Sequence, residues 1–207
     1  MQQAITEECK TKYPVLLVHG LGFEDNSIFY DYWGTIPGAL RERGCKVFLS
    51  GHPAFASHED NAMFIKNRLL DILKETGCEK VNIVAHSKGG IESRYMISKL
   101  DMGKHVASLT TLSTPHHGSS MSNLILENQH NFNPLMFMNS MMTYSFSMLN
   151  PTLFKIGKTL TPEYMKNFNE DVKDVKGVYY RSFTGKIDNT YPKTMWRNLN
   201  EIMNMHE

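Results

Sequence analysis

The stretch VNIVAHSKGG, Val81 to Gly90, limits what this chain can fold into more than any other. An apolar run ends in Ala-His-Ser-Lys-Gly and passes at once into helical spacing. A buried strand that turns directly into a helix brings backbone against backbone. Residues two before and two after the turn must therefore be small. Ala85 and Gly89 meet that need, and Gly90 adds room. Two roles fit Ser87 at such a turn. It is the nucleophile of a strand–turn–helix elbow, with its oxygen held above the sheet. Or it is an N-cap whose hydroxyl accepts a helix N–H.

The rest of the pattern decides the fold class. YPVLLVHG (13–20) is a short continuous apolar run and reads as a buried parallel strand. CKVFLSG (45–51) is a second candidate. Between them TIPGALRERG predicts a short helix closed by Gly44. Ser57 can cap the next helix, with Asp60 three residues on. Ala62, Ile65, Leu69, Ile72 and Leu73 fall on one face of it, and Gly77 ends it. KVNIVAH is the third strand. KGGIESRYMISKL follows as a helix with Ile91, Tyr95, Ile97 and Leu100 roughly on one side. VASLTTLST (106–114) is a fourth strand stopped by Pro115, and GVYYRSF (177–183) a fifth. Strands alternating with helices predict an α/β fold with a mainly parallel sheet flanked by helices. Ser119 to about Tyr164, rich in Met, Phe, Asn and Ser, breaks the alternation. It reads as an inserted, mostly helical cap at about residues 119–165. Ordinary core helices with methionine as gap-filler are the alternative. No linker divides residues 1–207, so a single domain is expected.

Composition excludes several classes. The 207 residues, 41% of them hydrophobic, suffice for a core. A formal charge of +1 lacks the basic excess of a nucleic-acid binder. No apolar stretch is long enough for a membrane span. The N-terminus MQQAITEECKTKYP shows no apolar signal region, so the expected location is cytoplasmic, or secreted if a leader was removed. Cys9, Cys45 and Cys78 make neither a metal pattern nor a disulfide framework. Cys78 follows a helix end, the wrong pole for a reactive thiolate.

An acyl-transfer site needs two backbone N–H groups aimed at the developing oxyanion. The residue after the nucleophile, Lys88, supplies one. The second is expected from the loop VHGLGF (18–23), whose glycines allow unusual geometry, with Leu21 as donor. A dinucleotide fingerprint would need a third glycine where Asp25 stands. His19 reads as structural.

Taken together, YPVLLVHGLGF, YDYWGTIPGALRERG, EKVNIVAHSKGGIESRY and LTTLSTPHHGS resemble, in order and spacing, the bacterial triacylglycerol lipases of the α/β-hydrolase superfamily. LTPEYMKNFNEDV and GVYYRSFTG continue the likeness, which runs from Tyr13 to about Gly185. The resemblance implies Ser87 as nucleophile, Leu21 and Lys88 as oxyanion-hole residues, and a mobile helical lid over an apolar acyl pocket. It implies a lipid or ester substrate, transient contact of the lid with a lipid interface, and no cofactor. A structural calcium occurs in such lipases near the catalytic histidine loop. His116 and His117 become loop-shaping residues. Ala85 stands where many of these lipases have glycine.

The family's triad runs Ser, Asp or Glu, then His. Its Asp lies in an Asn-Asp-Gly-like stretch, and this chain has no Asp-Gly. The expectation is therefore a chain that stops before the usual triad Asp and His. Asp188 and His206 have the right order as substitutes. His52, His58, His86, His105 and His130 read as surface or turn residues. The activity expected is cleavage of carboxylic esters through an acyl-serine intermediate. The alternatives are an inactive remnant, a lipid-binding module, or an acyltransferase using the same serine.

Overall fold

In the computed structural model the described residues are 6–22, 25, 31–127 and 151–185. The chain divides into two compact units, residues 1–116 with 168–184, and residues 117–167 with 185–207. The first unit holds a five-stranded parallel sheet in the order β2-β1-β3-β4-β5. The strands are β1 (Val15–Val18), β2 (Val47–Leu49), β3 (Val81–His86), β4 (Val106–Leu112) and β5 (Tyr179–Phe183). Each is shorter than its apolar run, because pairing ends where the chain turns away. At the end of β4, for example, Ser113 takes φ 48° before Pro115 is reached.

Between the strands lie α1 (Ile36–Glu42), α2 (His58–Thr76) and α3 (Lys88–Lys99). The connection β1 to β2 runs outward in one direction. The connection β2 to β3 runs back across β1 in the other. Right-handed crossovers of opposite direction lie on opposite faces, so both faces of the sheet are covered. Side-chain alternation matches. Leu16 and Val18 of β1 join Val81, Ile83 and Ala85 of β3 in a core with Ala62, Ile65, Leu69 and Ile72 of α2 and Met96 and Ile97 of α3. Val15 and Leu17 point the other way and pack with Trp33, Cys45 and Val47.

Helix α2 starts and stops as its sequence dictates. Ser57 Oγ accepts the Asp60 N–H at 3.0 Å, and Gly77 closes the helix with φ 67°. The three cysteines are unpaired thiols, and burial raises the pKa of Cys45.

The second unit contains α4 (Ser120–Glu127), α5 (Pro151–Lys158) and the first part of α6 (Pro162–Asp171). The described part of the expected insertion is thus helical, and residues 128–150 lie outside the description. Gly118 passes so close to α6 that a Cβ there would stand 2.5 Å from Pro162 N. No helix among the described residues is long and apolar enough to cross a membrane.

Candidate active site

Ser87 sits between β3 and α3 with φ 53° and ψ −128°. A non-glycine residue held there costs about 1–3 kcal/mol, and the surroundings must hold it. Its N–H donates to Leu112 O at 2.9 Å, and its carbonyl accepts the Gly90 N–H at 3.1 Å. The side chain makes no capping bond to α3. The N-cap role considered for Ser87 therefore does not apply.

The tightness of the turn is measurable. A Cβ on Gly89 would lie 2.2 Å from His19 O and 2.9 Å from Val18 O. One on Gly90 would lie 2.2 Å from Thr114 Oγ1. The first turn of α3 thus crosses β1 at backbone contact, as the small residues of the sequence require.

The loop after β1 is brought against the same turn. A Cβ on Gly20 would be 2.8 Å from Ser87 Cβ and 2.9 Å from Tyr32 Oη. The Gly20 N–H donates to Tyr32 Oη at 2.9 Å, and that hydroxyl pairs in turn with His86 Nδ1. Which partner donates depends on the His86 tautomer, since the phenol oxygen can accept twice or accept once and donate once. Burial lowers the pKa of His86 and so favours its neutral ring. Leu21 is half-buried in this loop, and Gly22 takes φ 89° and donates to Ala54 O at 3.2 Å. Ser87, Lys88 and the loop of Leu21 are therefore gathered at the carboxyl ends of β1 and β3. Asp188 and His206 lie outside the described residues.

Behind the turn lies a buried polar cluster that sequence reasoning missed. Lys88, His52 and Glu92 are all at most 2% exposed. Lys88 Nζ pairs with Glu92 Oε1 and donates to Ala56 O at 3.0 Å. Asn61 Nδ2 donates to Glu92 Oε1 at 2.7 Å, and His52 Nε2 lies 3.2 Å from Glu92 Oε2. Burial pushes the Glu92 carboxyl up. The close approach of His52 and the charge of Lys88 outweigh it, and the net pKa is lowered. His52 Nδ1 meets Ser50 Oγ at 2.8 Å. Ser50, His52 and Glu92 thus stand in the same sequence of side chains as a catalytic triad, with His52 Nε2 close to Glu92 Oε2 but not hydrogen-bonded to it. Ser50 is fully buried, however, so no substrate carbonyl reaches it.

The His52 ring stacks on His19, with centroids 3.6 Å apart and planes 7° apart. His19 Nδ1 lies 2.8 Å from Gly20 O and Nε2 2.9 Å from His52 O. Two carbonyl oxygens favour the protonated ring, but burial and the neighbouring His52 outweigh them and lower the His19 pKa. Nearby, buried Asp25 accepts from Gly51 N at 2.6 Å and Trp33 Nε1 at 3.1 Å, which makes it a loop anchor.

These positions correct one expectation. His52 and His58 are buried and His86 is half-buried, whereas the sequence placed them on the surface or in turns. Apolar periodicity locates hydrophobic faces and says nothing of polar groups satisfied beneath a loop. His105 is half-buried in the turn before β4, and His130 lies outside the description. His116 shapes its loop as expected. Its Nε2 lies 3.0 Å from Thr111 Oγ1 and 3.1 Å from Ser182 Oγ, and its carbonyl accepts from Asn169 Nδ2 at 2.8 Å. Among the described residues no cluster of three His, Cys, Asp or Glu side chains is placed to hold a metal ion.

Residues 13–141 match the family model described as alpha/beta hydrolase fold. The chain is 38% identical over 120 residues to a triacylglycerol lipase of Pseudarthrobacter phenanthrenivorans, covering 56% of this chain and 37% of that protein. It is 30% identical over 146 residues to triacylglycerol lipase 2 of Saccharomyces cerevisiae, covering 68% of this chain and 45% of that one. It therefore spans less than half the length of either relative. The fold is similar to that of the mature lipase BlEst2 of Bacillus licheniformis, with a TM-score of 0.72 at 23% identity, covering 94% of this chain and 74% of that one. The match over more than half of the sequence, with the turn geometry described above, means that this chain belongs to the alpha/beta hydrolase fold family.

Proposed function

We propose that this protein is a serine hydrolase of the lipase/esterase type that cleaves carboxylic esters of lipids. The observation that carries the reading is the strained Ser87 backbone, φ 53° at a strand–helix junction, with the glycine loop of β1 packed against it. In this reading Ser87 Oγ attacks the ester carbonyl carbon. The developing oxyanion is met by the N–H groups of Lys88 and Leu21. The alcohol leaves, and water then cleaves the acyl-Ser87 ester and releases the acid. The serine proton passes to a histidine oriented by a carboxylate. Asp188 and His206 are the pair of this chain in the family's order. The similarity to triacylglycerol lipases supports lipid esters. So does the Met- and Phe-rich composition of residues 119–165, which suits long acyl chains and a lid that meets a lipid interface.

A fluorophosphonate probe tests this reading on the full chain. Labelling of the wild type should fall by about a thousandfold or more in Ser87→Ala. Asp188→Asn and His206→Gln should slow it if that pair serves as acid and base. An unlabelled wild type, or undiminished labelling of Ser87→Ala, would remove the proposal.

A further inference from the structure

We propose that Glu92 is a positioning residue of the oxyanion hole, tying Lys88 on one side to the loop of Leu21 on the other. This rests on the serine-hydrolase reading above. Lys88 opens α3, where the helix dipole disfavours a cation, and its side chain is 1% exposed. Replacing a buried ion pair by apolar residues is often neutral or stabilising, so stability alone does not account for a lysine at that pole. Its place is explained by what it is joined to.

One turn on, Glu92 meets Lys88 Nζ with one oxygen and His52 Nε2 with the other, the latter at 3.2 Å. Asn61 Nδ2 secures the first oxygen at 2.7 Å. His52 then reaches the loop after β1 in two ways. Its ring stacks on His19, and its carbonyl oxygen lies 2.9 Å from His19 Nε2. His19 Nδ1 lies 2.8 Å from Gly20 O, directly before Leu21, and the neutral ring donates to one of these two carbonyls according to its tautomer. The path from Lys88 to Gly20 is thus a chain of close contacts, the Lys88–Glu92 ion pair, the approach of Glu92 to His52 and the His52–His19 stack, and Glu92 is where its two halves meet. Donors that stabilise an oxyanion act only if they are fixed before the charge develops. Glu92 touches no reacting atom and acts through both donors at once.

The test compares wild type, Glu92→Ala and Glu92→Gln in hydrolysis of p-nitrophenyl butyrate by the full chain. Glu92→Ala should lower kcat about 10- to 100-fold with KM nearly unchanged, because the hole is felt in the transition state. Glu92→Gln keeps an acceptor for Lys88 and Asn61 and should recover part of the loss. Hydrogen exchange should rise together in residues 19–22 and 87–90 of Glu92→Ala, while residues 65–72 of α2 stay protected. If Glu92→Ala does not fold, the double variant Lys88→Met/Glu92→Leu restores apolar packing without the tie and should show the same loss of kcat. A folded double variant with wild-type kcat would overturn the proposal. So would exchange that rises at 87–90 but not at 19–22. If the wild type is neither active nor labelled at Ser87, the serine-hydrolase reading fails. The paired exchange response then still decides whether Glu92 joins the two segments.

Discussion

Tyr32 does two jobs with one oxygen. It accepts the Gly20 N–H and shares a hydrogen bond with Nδ1 of His86, the residue before Ser87. Tyr32→Phe would leave both partners without that bond in a half-buried place. The expected cost is about 1–3 kcal/mol, read as a lower urea midpoint. Phosphonylation of Ser87 should slow as well, since the loop of Leu21 loses an anchor. An unchanged midpoint and labelling rate would show that the hydroxyl holds nothing. At this scale the sequence was only partly informative. Ser87 was legible because its small neighbours carry a steric meaning, now expressed in the distances around Gly89 and Gly90. Glu92 was not, because a Lys and a Glu four apart on a helix ordinarily mark a solvated face. Their burial depends on His52 and Asn61, which lie some 30 or more positions upstream. The structure describes neither Asp188 nor His206, so the acid and base remain proposals tied to their variants.

The elements were easier to read than the residues. Each predicted strand is present in parallel pairing, and α2 has its predicted cap, face and stop. Continuous apolar runs ended by turn residues, and period-3.6 patterns with capping residues, leave little choice of element type. Strand ends were less legible, since hydrogen-bond pairing sets them and apolarity does not. Two glycines separate the demands on the helices. Gly89→Ala would drive a Cβ into the backbone of β1, 2.2 Å from His19 O. It should destabilise by about 1–3 kcal/mol or more, because backbone cannot move aside. Gly38→Ala in α1 meets nothing within 4 Å, at an exposed helical position. It should stabilise by about 0.4–1 kcal/mol. Thermal unfolding of the two variants beside wild type checks both signs. Equal shifts would mean that the crossing of α3 over β1 is looser than described.

The whole molecule gathers its site by topology. Strand order reverses between β1 and β3, and a crevice opens at the carboxyl ends of strands where this happens. The glycine loop and Ser87, nearly 70 positions apart, thereby become neighbours. The same burial that shapes this region makes stability depend on pH. His19 and His86 have pKa values lowered by burial, so the folded state takes up protons less readily than the unfolded chain. Their contribution is present above the ordinary histidine value of 6.5 and is lost as pH falls below it. Glu92, also lowered, adds a further loss as pH falls below its ordinary 4.5. Urea midpoints should be flat from pH 8 to 7 and decline toward pH 5.5 and below. A midpoint that holds constant from pH 8 to 5.5 would contradict the burial of these imidazoles.

The close approach of Gly20 to Ser87 also bears on descent. Gly89 is hemmed in by backbone, so any lineage that keeps the fold must keep that glycine, working or not. Gly20 is hemmed in by Ser87 Cβ and Tyr32 Oη, with His86 O at 3.3 Å beyond them. Room for a larger residue at position 20 would need glycine at position 87 together with loss of the Tyr32 hydroxyl, because every other residue at 87 keeps the Cβ. Drift at 20 with constancy at 89 would be the mark of a silent copy. Constancy at both would follow from packing alone as long as position 87 keeps a Cβ.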